Sequence, residues 1–215
     1  MALRGNAATV DARPTAVIFD VGRVLYDWDP RFLYERLIDG EALDLFLRDV
    51  VTPEWHFQHD AGRDFADTSA ELAALHPHQA ELIAAWGPRF LESIGEPMPG
   101  MHALVDELHD AGVPLYAITN FSHEFWPPFR EREAAMFDRF RDVIVSGVEK
   151  MVKPDAAIYR LALDRFGLEA GRTVFIDDNA ANVEGASGVG LIALHFTEEP
   201  KVRRELGELG LLTAR

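Results

Sequence analysis

The segment PTAVIFDVGRVLYDW, residues 14–28, contains a short apolar run that leads directly to an acid. The run, Ala16–Phe19, has the length and composition of a β-strand buried on both faces. It ends at Asp20. Because ligands of open parallel sheets bind at the carboxyl ends of the strands, Asp20 is the first candidate functional residue.

Four more short apolar runs predict further buried strands. They are residues 114–118, 143–145, 173–176 and 191–194. Apolar residues at helical spacing separate the later runs, as in Met101, Leu104, Val105 and Leu108. Strands that alternate with helices predict an α/β fold with a Rossmann-like parallel sheet.

The interval between the first two runs, residues 29–97, has several helical patterns and no clear strand. We expect a helical cap here, inserted into an α/β core formed by residues 14–28 and 98–215. Residues 1–13 are expected to form a loose N-terminal tail. A helical subdomain without a gating role is the alternative.

Local signals predict where three helices begin or end. Residues 68–71, TSAE, match a capping box and predict a helix start at Thr68. Pro154 is expected at the first helical position of a later helix, with Asp155 in its first turn. A helix that includes Trp86 is expected either to end near Pro88 or to continue to Leu91.

The composition excludes several classes of protein. Lys and Arg total 21 and Asp and Glu total 36, a net charge of −15 that repels a phosphate backbone and argues against nucleic-acid binding. No apolar run is long enough to span a membrane, and the N-terminal residues lack the apolar region of a secretory signal. There is no cysteine, which excludes disulfides and fits a cytoplasmic protein.

Polar residues follow four of the predicted strands and should meet at one edge of the sheet. They are Asp20 after the first, Thr119 and Asn120 after the second, Lys153 shortly after the third, and Asp177 and Asp178 after the fourth. Three carboxylates in one cleft repel one another unless a cation intervenes. Oxygen ligands without His or Cys suit a hard ion, so we expect Mg²⁺.

Taken in order, these residues resemble the motifs of a known family. The segment DVGRVL from Asp20, then Thr119, then Lys153-Pro154, then Asp177-Asp178 resemble the four motifs of the haloacid dehalogenase superfamily. The resemblance runs from about Pro14 through nearly the whole chain, including the helical cap. FDVGRVLYDWDP (19–30), TNFSHEFWP (119–127) and FIDDNAANVEGA (175–186) are similar to the branch that contains bacterial sugar-1-phosphate phosphatases.

The resemblance implies a phosphatase of small phosphorylated metabolites and a role for each motif residue. Asp20 would attack phosphorus and form an aspartyl-phosphate. Thr119 and the backbone N–H of Asn120 would hold phosphoryl oxygens, and Lys153 would pair with the phosphoryl group and Asp20. The expected ligands of Mg²⁺ are the Asp20 side chain, the Gly22 carbonyl, Asp177 and Asp178. Asn182 is expected to brace the loop after the fourth strand.

Gly22 departs from the family's pattern. Most phosphatases of the superfamily have a second Asp at this position, which acts as general acid and base. General acid catalysis typically contributes about 10²–10⁴-fold. We therefore expect a higher kcat/KM for hexose 1-phosphates than for hexose 6-phosphates, because the anomeric oxygen leaves more readily as an anion. A cap histidine or Asp27 that supplies the proton would erase this preference.

Four residues outside the motifs are predicted to contact the substrate: His56, His59, Tyr26 and Arg63. For the two histidines, ordinary packing within a helix is the alternative. Two other functions also remain open. One is a hydrolytic 2-haloacid dehalogenase, in which Asp20 attacks carbon without a metal. The other is a catalytically silent protein that binds a phosphorylated ligand, for which Gly22 is the main support.

Overall fold

The computed structural model describes residues 13–212, so residues 1–12 of the predicted tail lie outside the described range. The strands are β1 (Ala16–Phe19), β2 (Tyr26–Trp28), β3 (Ile94–Pro97), β4 (Leu115–Thr119), β5 (Asp142–Val145), β6 (Thr173–Asp177) and β7 (Ile192–His195). Five of them form a parallel sheet in the order β5-β4-β1-β6-β7. The predicted α/β fold and its five strands are confirmed.

The helices surround this sheet and fill the interval between β2 and β3. They are α1 (Arg31–Tyr34), α2 (Gly40–Asp49), α3 (Pro53–Asp60), α4 (Phe65–Leu75), α5 (Ala80–Arg89), α6 (Met101–Asp110), α7 (Trp126–Arg132), α8 (Ala134–Phe137), α9 (Ser146–Glu149), α10 (Ala156–Phe166), α11 (Ala180–Gly188) and α12 (Glu199–Glu208). The helix at Trp86 runs through Pro88 and ends at Arg89, short of Leu91, and a separate 3₁₀ turn follows over Phe90–Ser93. No helix within residues 13–212 has the length and apolar character needed to cross a bilayer.

The central strand β1 is buried on both faces. Val17 and Phe19 pack into one apolar cluster, and Ala16 and Ile18 pack into a second one on the opposite face. This alternation follows from the two-residue period of a strand. β1 pairs with β4 on one side and with β6 on the other. The carboxyl ends of three strands therefore lie side by side.

Residues 29–97 contain a strand, β3, that the sequence pattern did not predict. β3 pairs antiparallel with β2, with Tyr26 opposite Pro97 and Trp28 opposite Ile94. Both strands are short, and Gly95 and Pro97 are residue types that are rare inside strands. The expectation of a strand-free interval is thus wrong. The chain leaves the core through β2 and returns through β3, with α1–α5 between them.

The predicted helix start at Thr68 is wrong. α4 begins at Phe65, and Asp64 is its N-cap residue. Thr68 lies inside the helix and is buried. Its hydroxyl is not an N-cap, because it donates to the Asp64 and Phe65 carbonyls inside the helix; it also lies 2.6 Å from the Nε2 atom of the buried His59.

The start of α10 also differs from the prediction. The helix begins at Ala156 with Asp155 as its N-cap residue, so Pro154 precedes the helix and is not its first residue. The segment before α10 is held elsewhere, because the main chain of Lys153 is hydrogen-bonded to the Asn120 side chain.

Candidate active site

A cavity of about 200 Å³ lies at the carboxyl ends of β1, β4 and β6. Its floor is formed by residues that follow these strands, and its other walls come from β2, α3 and the segment Phe90–Ile94. The lining residues are Asp20, Val21, Gly22, Arg23, Tyr26, Trp28, His56, Asp60, Phe90, Ile94, Thr119, Asn120, Phe121, Phe129, Lys153, Asp178, Asn179 and Asn182. Most of the predicted motif residues therefore share one cavity.

Asp20 is the first residue after β1, and its two carboxylate oxygens differ in their contacts. Oδ1 accepts a hydrogen bond from the Val21 N–H at 2.7 Å and lies 2.7 Å from the Lys153 ammonium. Among residues 13–212, no hydrogen bond reaches Oδ2. One oxygen is thus fixed, which leaves the other available to a ligand.

Lys153 is fully buried between two carboxylates. Its Nζ atom lies 2.7 Å from Asp20 Oδ1 and 2.7 Å from Asp177 Oδ2. Burial disfavours the ammonium, but the charges of Asp20 and Asp177 outweigh it, so the pKa of Lys153 is raised. The side chain is therefore a permanent cation beside Asp20.

Asp177, the last residue of β6, is held by three neighbours. Besides the Lys153 ammonium, it accepts hydrogen bonds from the Asn179 N–H at 2.9 Å and from Asn182 Nδ2 at 3.0 and 3.1 Å. The bracing role expected of Asn182 is thus directed at Asp177. Asp178 makes no salt bridge with any residue in the range 13–212, which leaves its carboxylate open to a cation.

The carboxylates of Asp20, Asp177 and Asp178 offer oxygen atoms that all lie within 4.8 Å of one another. Burial raises the pKa of Asp20 to about 8, and the charges of Asp177 and Asp178 add to this, although Lys153 opposes it. One ammonium does not balance three carboxylates. A hard divalent cation with oxygen ligands would do so, and the donor set fits Mg²⁺.

Thr119 and Gly22 lie where the motifs predict. Thr119 ends β4 and is buried in the cavity wall. Gly22 lines the cavity, and a Cβ atom added to it would meet nothing within 4 Å. The position thus has room for a side chain.

The four residues predicted to contact substrate divide into two pairs. Tyr26 and His56 line the cavity. His59 does not line it, because its ring is buried between Trp55, Phe65 and Phe125 and its Nε2 atom lies beside Thr68. Arg63 is exposed and pairs with Glu71 at 2.6 Å, outside the cavity. The structure thus places two of the four away from the site.

Three further contributions were not predicted from the sequence. The Asn120 side chain accepts from the Lys153 N–H at 2.9 Å and donates to the Lys153 carbonyl at 3.0 Å. Arg23 adds a cation at the cavity rim, and its guanidinium lies over the Trp28 ring. Asp60, the last residue of α3, contributes a buried carboxyl to the cavity wall. In the sequence, an acid directly after a histidine, at residues 59–60, is the signal that points to Asp60.

Comparison with known proteins agrees with this geometry. A family model described as a haloacid dehalogenase-like hydrolase matches residues 14–190. The sesquiterpene phosphatase astK of Aspergillus oryzae is 29% identical over 203 residues, covering 90% of this chain and 95% of the relative.

Solved structures show the same fold at lower identity. A haloacid dehalogenase family enzyme from Bacteroides thetaiotaomicron, solved with magnesium and inorganic phosphate, has a TM-score of 0.66 at 18% identity, covering 86% of this chain and 95% of its own. The L-2-haloacid dehalogenase of Xanthobacter autotrophicus, solved with covalently bound chloropropionic acid, has a TM-score of 0.63 at 19% identity, covering 91% and 83%. From the family match and the site, this chain belongs to the haloacid dehalogenase-like hydrolases.

Proposed function

We propose that this protein hydrolyses small phosphate monoesters in a Mg²⁺-dependent reaction with Asp20 as the nucleophile. One observation carries the proposal. Lys153 joins Asp20 to Asp177, while Asp20, Asp177 and Asp178 bring oxygen atoms within 4.8 Å of one another beside the cavity that Asp20 and Asp178 line. A nucleophile, a fixed cation and a set of metal ligands thus adjoin one small space.

In the proposed reaction, Asp20 Oδ2 attacks phosphorus and the bond from phosphorus to the leaving oxygen breaks. Lys153 and Val21 N–H hold Oδ1, which orients the carboxylate for this attack. The Lys153 ammonium also attracts the phosphoryl oxygens. Water then hydrolyses the aspartyl-phosphate, which releases inorganic phosphate and restores Asp20.

Asp20, Asp177, Asp178 and the Gly22 carbonyl are the proposed ligands of Mg²⁺. When bound, the ion neutralises charge on the phosphoryl group and shields it from the carboxylates. Thr119 and the backbone N–H of Asn120 are the proposed donors to the phosphoryl oxygens at the end of β4.

The two other functions are less well supported. A dehalogenase that attacks carbon needs no metal, so the pair Asp177-Asp178 would add only repulsion beside Asp20. A silent binding protein does not need a nucleophile with one oxygen fixed by Lys153 and the other free. Gly22 is the main argument for a silent site.

Two substrate classes deserve direct comparison. Sugar 1-phosphates follow from the resemblance of the motifs. Phosphates of apolar alcohols are favoured by the apolar part of the cavity wall. This part is formed by Tyr26, Trp28, Phe90, Ile94 and Phe129. The similarity to a sesquiterpene phosphatase supports the second class. We propose that residues 29–97 act as a cap and decide between them, because they supply Phe90 and Ile94 to this apolar wall and place His56 and Asp60 in the same cavity.

The test is hydrolysis of p-nitrophenyl phosphate with Mg²⁺ or with EDTA. We expect activity that needs Mg²⁺ and that Asp20→Asn abolishes while the fold is retained. Hydrolysis of 2-haloacids that persists in EDTA would overturn the proposal. A glucose 1-phosphate arm and a prenyl monophosphate arm in the same assay separate the two substrate classes.

A further inference from the structure

The phosphatase proposed above lacks a proton donor at the position where its family carries one. Gly22 has no side chain, and a Cβ atom there would meet nothing within 4 Å. The site thus has open space beside the nucleophile. A poor leaving group, such as an alkoxide, needs a proton as it departs. Another acid on the cavity wall would supply it.

Asp60 is a buried carboxyl on that wall. It ends α3, is 6% exposed and lines the same cavity as Asp20. Its Oδ1 atom is buried and finds no hydrogen-bond partner within the described part of the chain, and its Oδ2 atom lies 3.6 Å from His56 Nε2. A buried polar atom without a partner is costly, which points to a ligand that completes it.

The main chain at Asp60 is fixed to the core. The Ser146 hydroxyl at the start of α9 donates to the Asp60 carbonyl at 2.6 Å. Two glycines allow this close approach. A Cβ atom added to Gly62 would lie 2.9 Å from the Gly147 carbonyl oxygen, and one added to Gly147 would lie 3.1 Å from the His59 carbonyl oxygen. The carboxyl group therefore lies at a helix end whose main chain is held in place by α9.

We infer that Asp60 is the general acid and base of the reaction and replaces the acid missing at Gly22. In the first step Asp20 forms its bond to phosphorus, and the leaving oxygen takes the electron pair of the breaking bond and a proton from Asp60. In the second step the Asp60 carboxylate takes a proton from water, whose oxygen bonds to phosphorus. The bond between Asp20 and phosphorus breaks, and its electron pair returns to Asp20.

The other candidates for the proton donor fit less well. Asp27 is exposed and does not line this cavity. His56 lines it, but burial, with a smaller effect of His59, lowers the pKa of His56 to about 3. A neutral imidazole of this kind is a weak proton donor. Its ring stacks on Phe90, and its Nε2 atom lies 3.6 Å from Asp60 Oδ2.

The protonation state of Asp60 agrees with its role. Burial raises the pKa of Asp60 to about 8, the charge of Asp20 adds to this, and Lys153 opposes it. His56 faces it from its own helix, and Arg23 and Asp178 are the other charged groups of the cavity wall. Burial thus favours the protonated form of the Asp60 carboxyl, which is the form that the first step needs.

The test exploits the acidity of the leaving group. In Asp60→Asn we expect kcat/KM for an alkyl phosphate to fall by about 10²–10⁴-fold. For p-nitrophenyl phosphate it should fall far less, because nitrophenolate leaves without a proton. Phosphorylated enzyme should accumulate in the variant, since water lacks its base. Asp67→Asn, the same change at an exposed position of α4, is the matched control and should leave kcat/KM for both substrates unchanged.

A second variant tests for rescue. Gly22→Asp in the Asp60→Asn background should restore much of the alkyl phosphatase activity, because the position has room for a side chain. If Asp60→Asn lowers kcat/KM equally for the alkyl phosphate and for p-nitrophenyl phosphate, or lowers neither value, the role of Asp60 is overturned while the phosphatase activity stands. A wild-type protein inactive on all phosphates with Mg²⁺ would instead overturn the proposed function.

The wild-type protein provides a measurement that does not depend on how the variant folds. With an acid in place, kcat/KM should depend only weakly on leaving-group acidity across a series of aryl and alkyl phosphates. A steep dependence in the wild type would show that no acid acts there.

Discussion

The Asn120 side chain makes two hydrogen bonds with the main chain of Lys153. Its Oδ1 atom accepts from the Lys153 N–H at 2.9 Å, and its Nδ2 atom donates to the Lys153 carbonyl at 3.0 Å. The end of β4 thus fixes Lys153, the residue that brings an ammonium to the cavity. Asn120 lines the cavity as well, but its side chain is committed to this contact.

This contact predicts the effect of Asn120→Ala. Two hydrogen bonds worth about 0.5–1.5 kcal/mol each are lost, and the Lys153 side chain becomes less well placed. We expect kcat to fall by about 5- to 100-fold, with a smaller change in KM. Steady-state kinetics and a melting curve check this. An unchanged kcat in a folded variant would show that the contact does not position Lys153.

Metal binding should depend on pH. Asp20 and Asp60 have ordinary pKa values near 3.8 in the unfolded chain and about 8 in the fold. Their favourable contribution is complete below the lower value and is lost as pH rises through the higher one. Burial lowers the pKa of His56 to about 3 and that of His59 to about 4, so these two groups do not contribute in this range. The Tm in EDTA should therefore fall between pH 7 and pH 9.

Mg²⁺ favours the ionised form of Asp20, so the rise in Tm that it produces should grow over the same range. Melting curves in EDTA and in MgCl₂ at both pH values measure this difference. Asp178→Asn is the control and should lose most of the metal effect. A metal-induced shift equal at the two pH values would contradict the proposed link.

The sequence predicted the floor of the site better than its walls. Asp20, Thr119, Asp177 and Asp178 follow buried apolar strands, and the parallel sheet brings the ends of such strands to one edge. Local pattern and fold together are therefore sufficient for these residues. Lys153 follows its strand less closely, and its main chain is held by the Asn120 side chain, a contact distant in sequence.

The walls of the cavity depend on how α3 packs against the core. The local sequence pattern does not predict this packing. His59 and Asp60 are neighbours, yet one is buried among aromatic rings and the other reaches the cavity. Which face of α3 meets the core is decided by contacts distant in sequence, such as the Ser146 hydroxyl on the Asp60 carbonyl. β3 was missed for a similar reason, because its pairing with β2 outweighs the presence of Gly95 and Pro97.

The two histidines of α3 should respond differently to substitution. His56→Ala removes a ring from the cavity wall and enlarges the cavity. We therefore expect an altered ratio of kcat/KM between an apolar alcohol phosphate and glucose 1-phosphate. His59→Ala removes a buried ring and its contact with Thr68, so it should lower Tm by several degrees and leave the ratio unchanged. Kinetics on both substrates and melting curves separate the two. An equal effect on the ratio would assign both histidines the same role.

The contact between α3 and α9 requires a glycine. In Gly147→Ala the new Cβ atom would lie 2.6 Å from the His123 backbone nitrogen and 2.8 Å from the Phe121 carbonyl oxygen. Because the backbone must shift, we expect a clearly lower Tm and reduced activity on alkyl phosphates. Gly171→Ala is the matched control, since its Cβ atom would meet nothing within 4 Å. An equal Tm of the two variants would contradict the close packing of the main chain around Gly147.

Asp20 as a phosphorylated nucleophile can be observed by chemical trapping. The protein is mixed with p-nitrophenyl phosphate and Mg²⁺, quenched in acid within a single turnover, digested and analysed by mass spectrometry. We expect one phosphoryl group on Asp20, absent with EDTA and absent in Asp20→Asn. A phosphoryl group on another residue, or turnover with no phosphorylated enzyme even in Asp60→Asn, would contradict nucleophilic catalysis by Asp20.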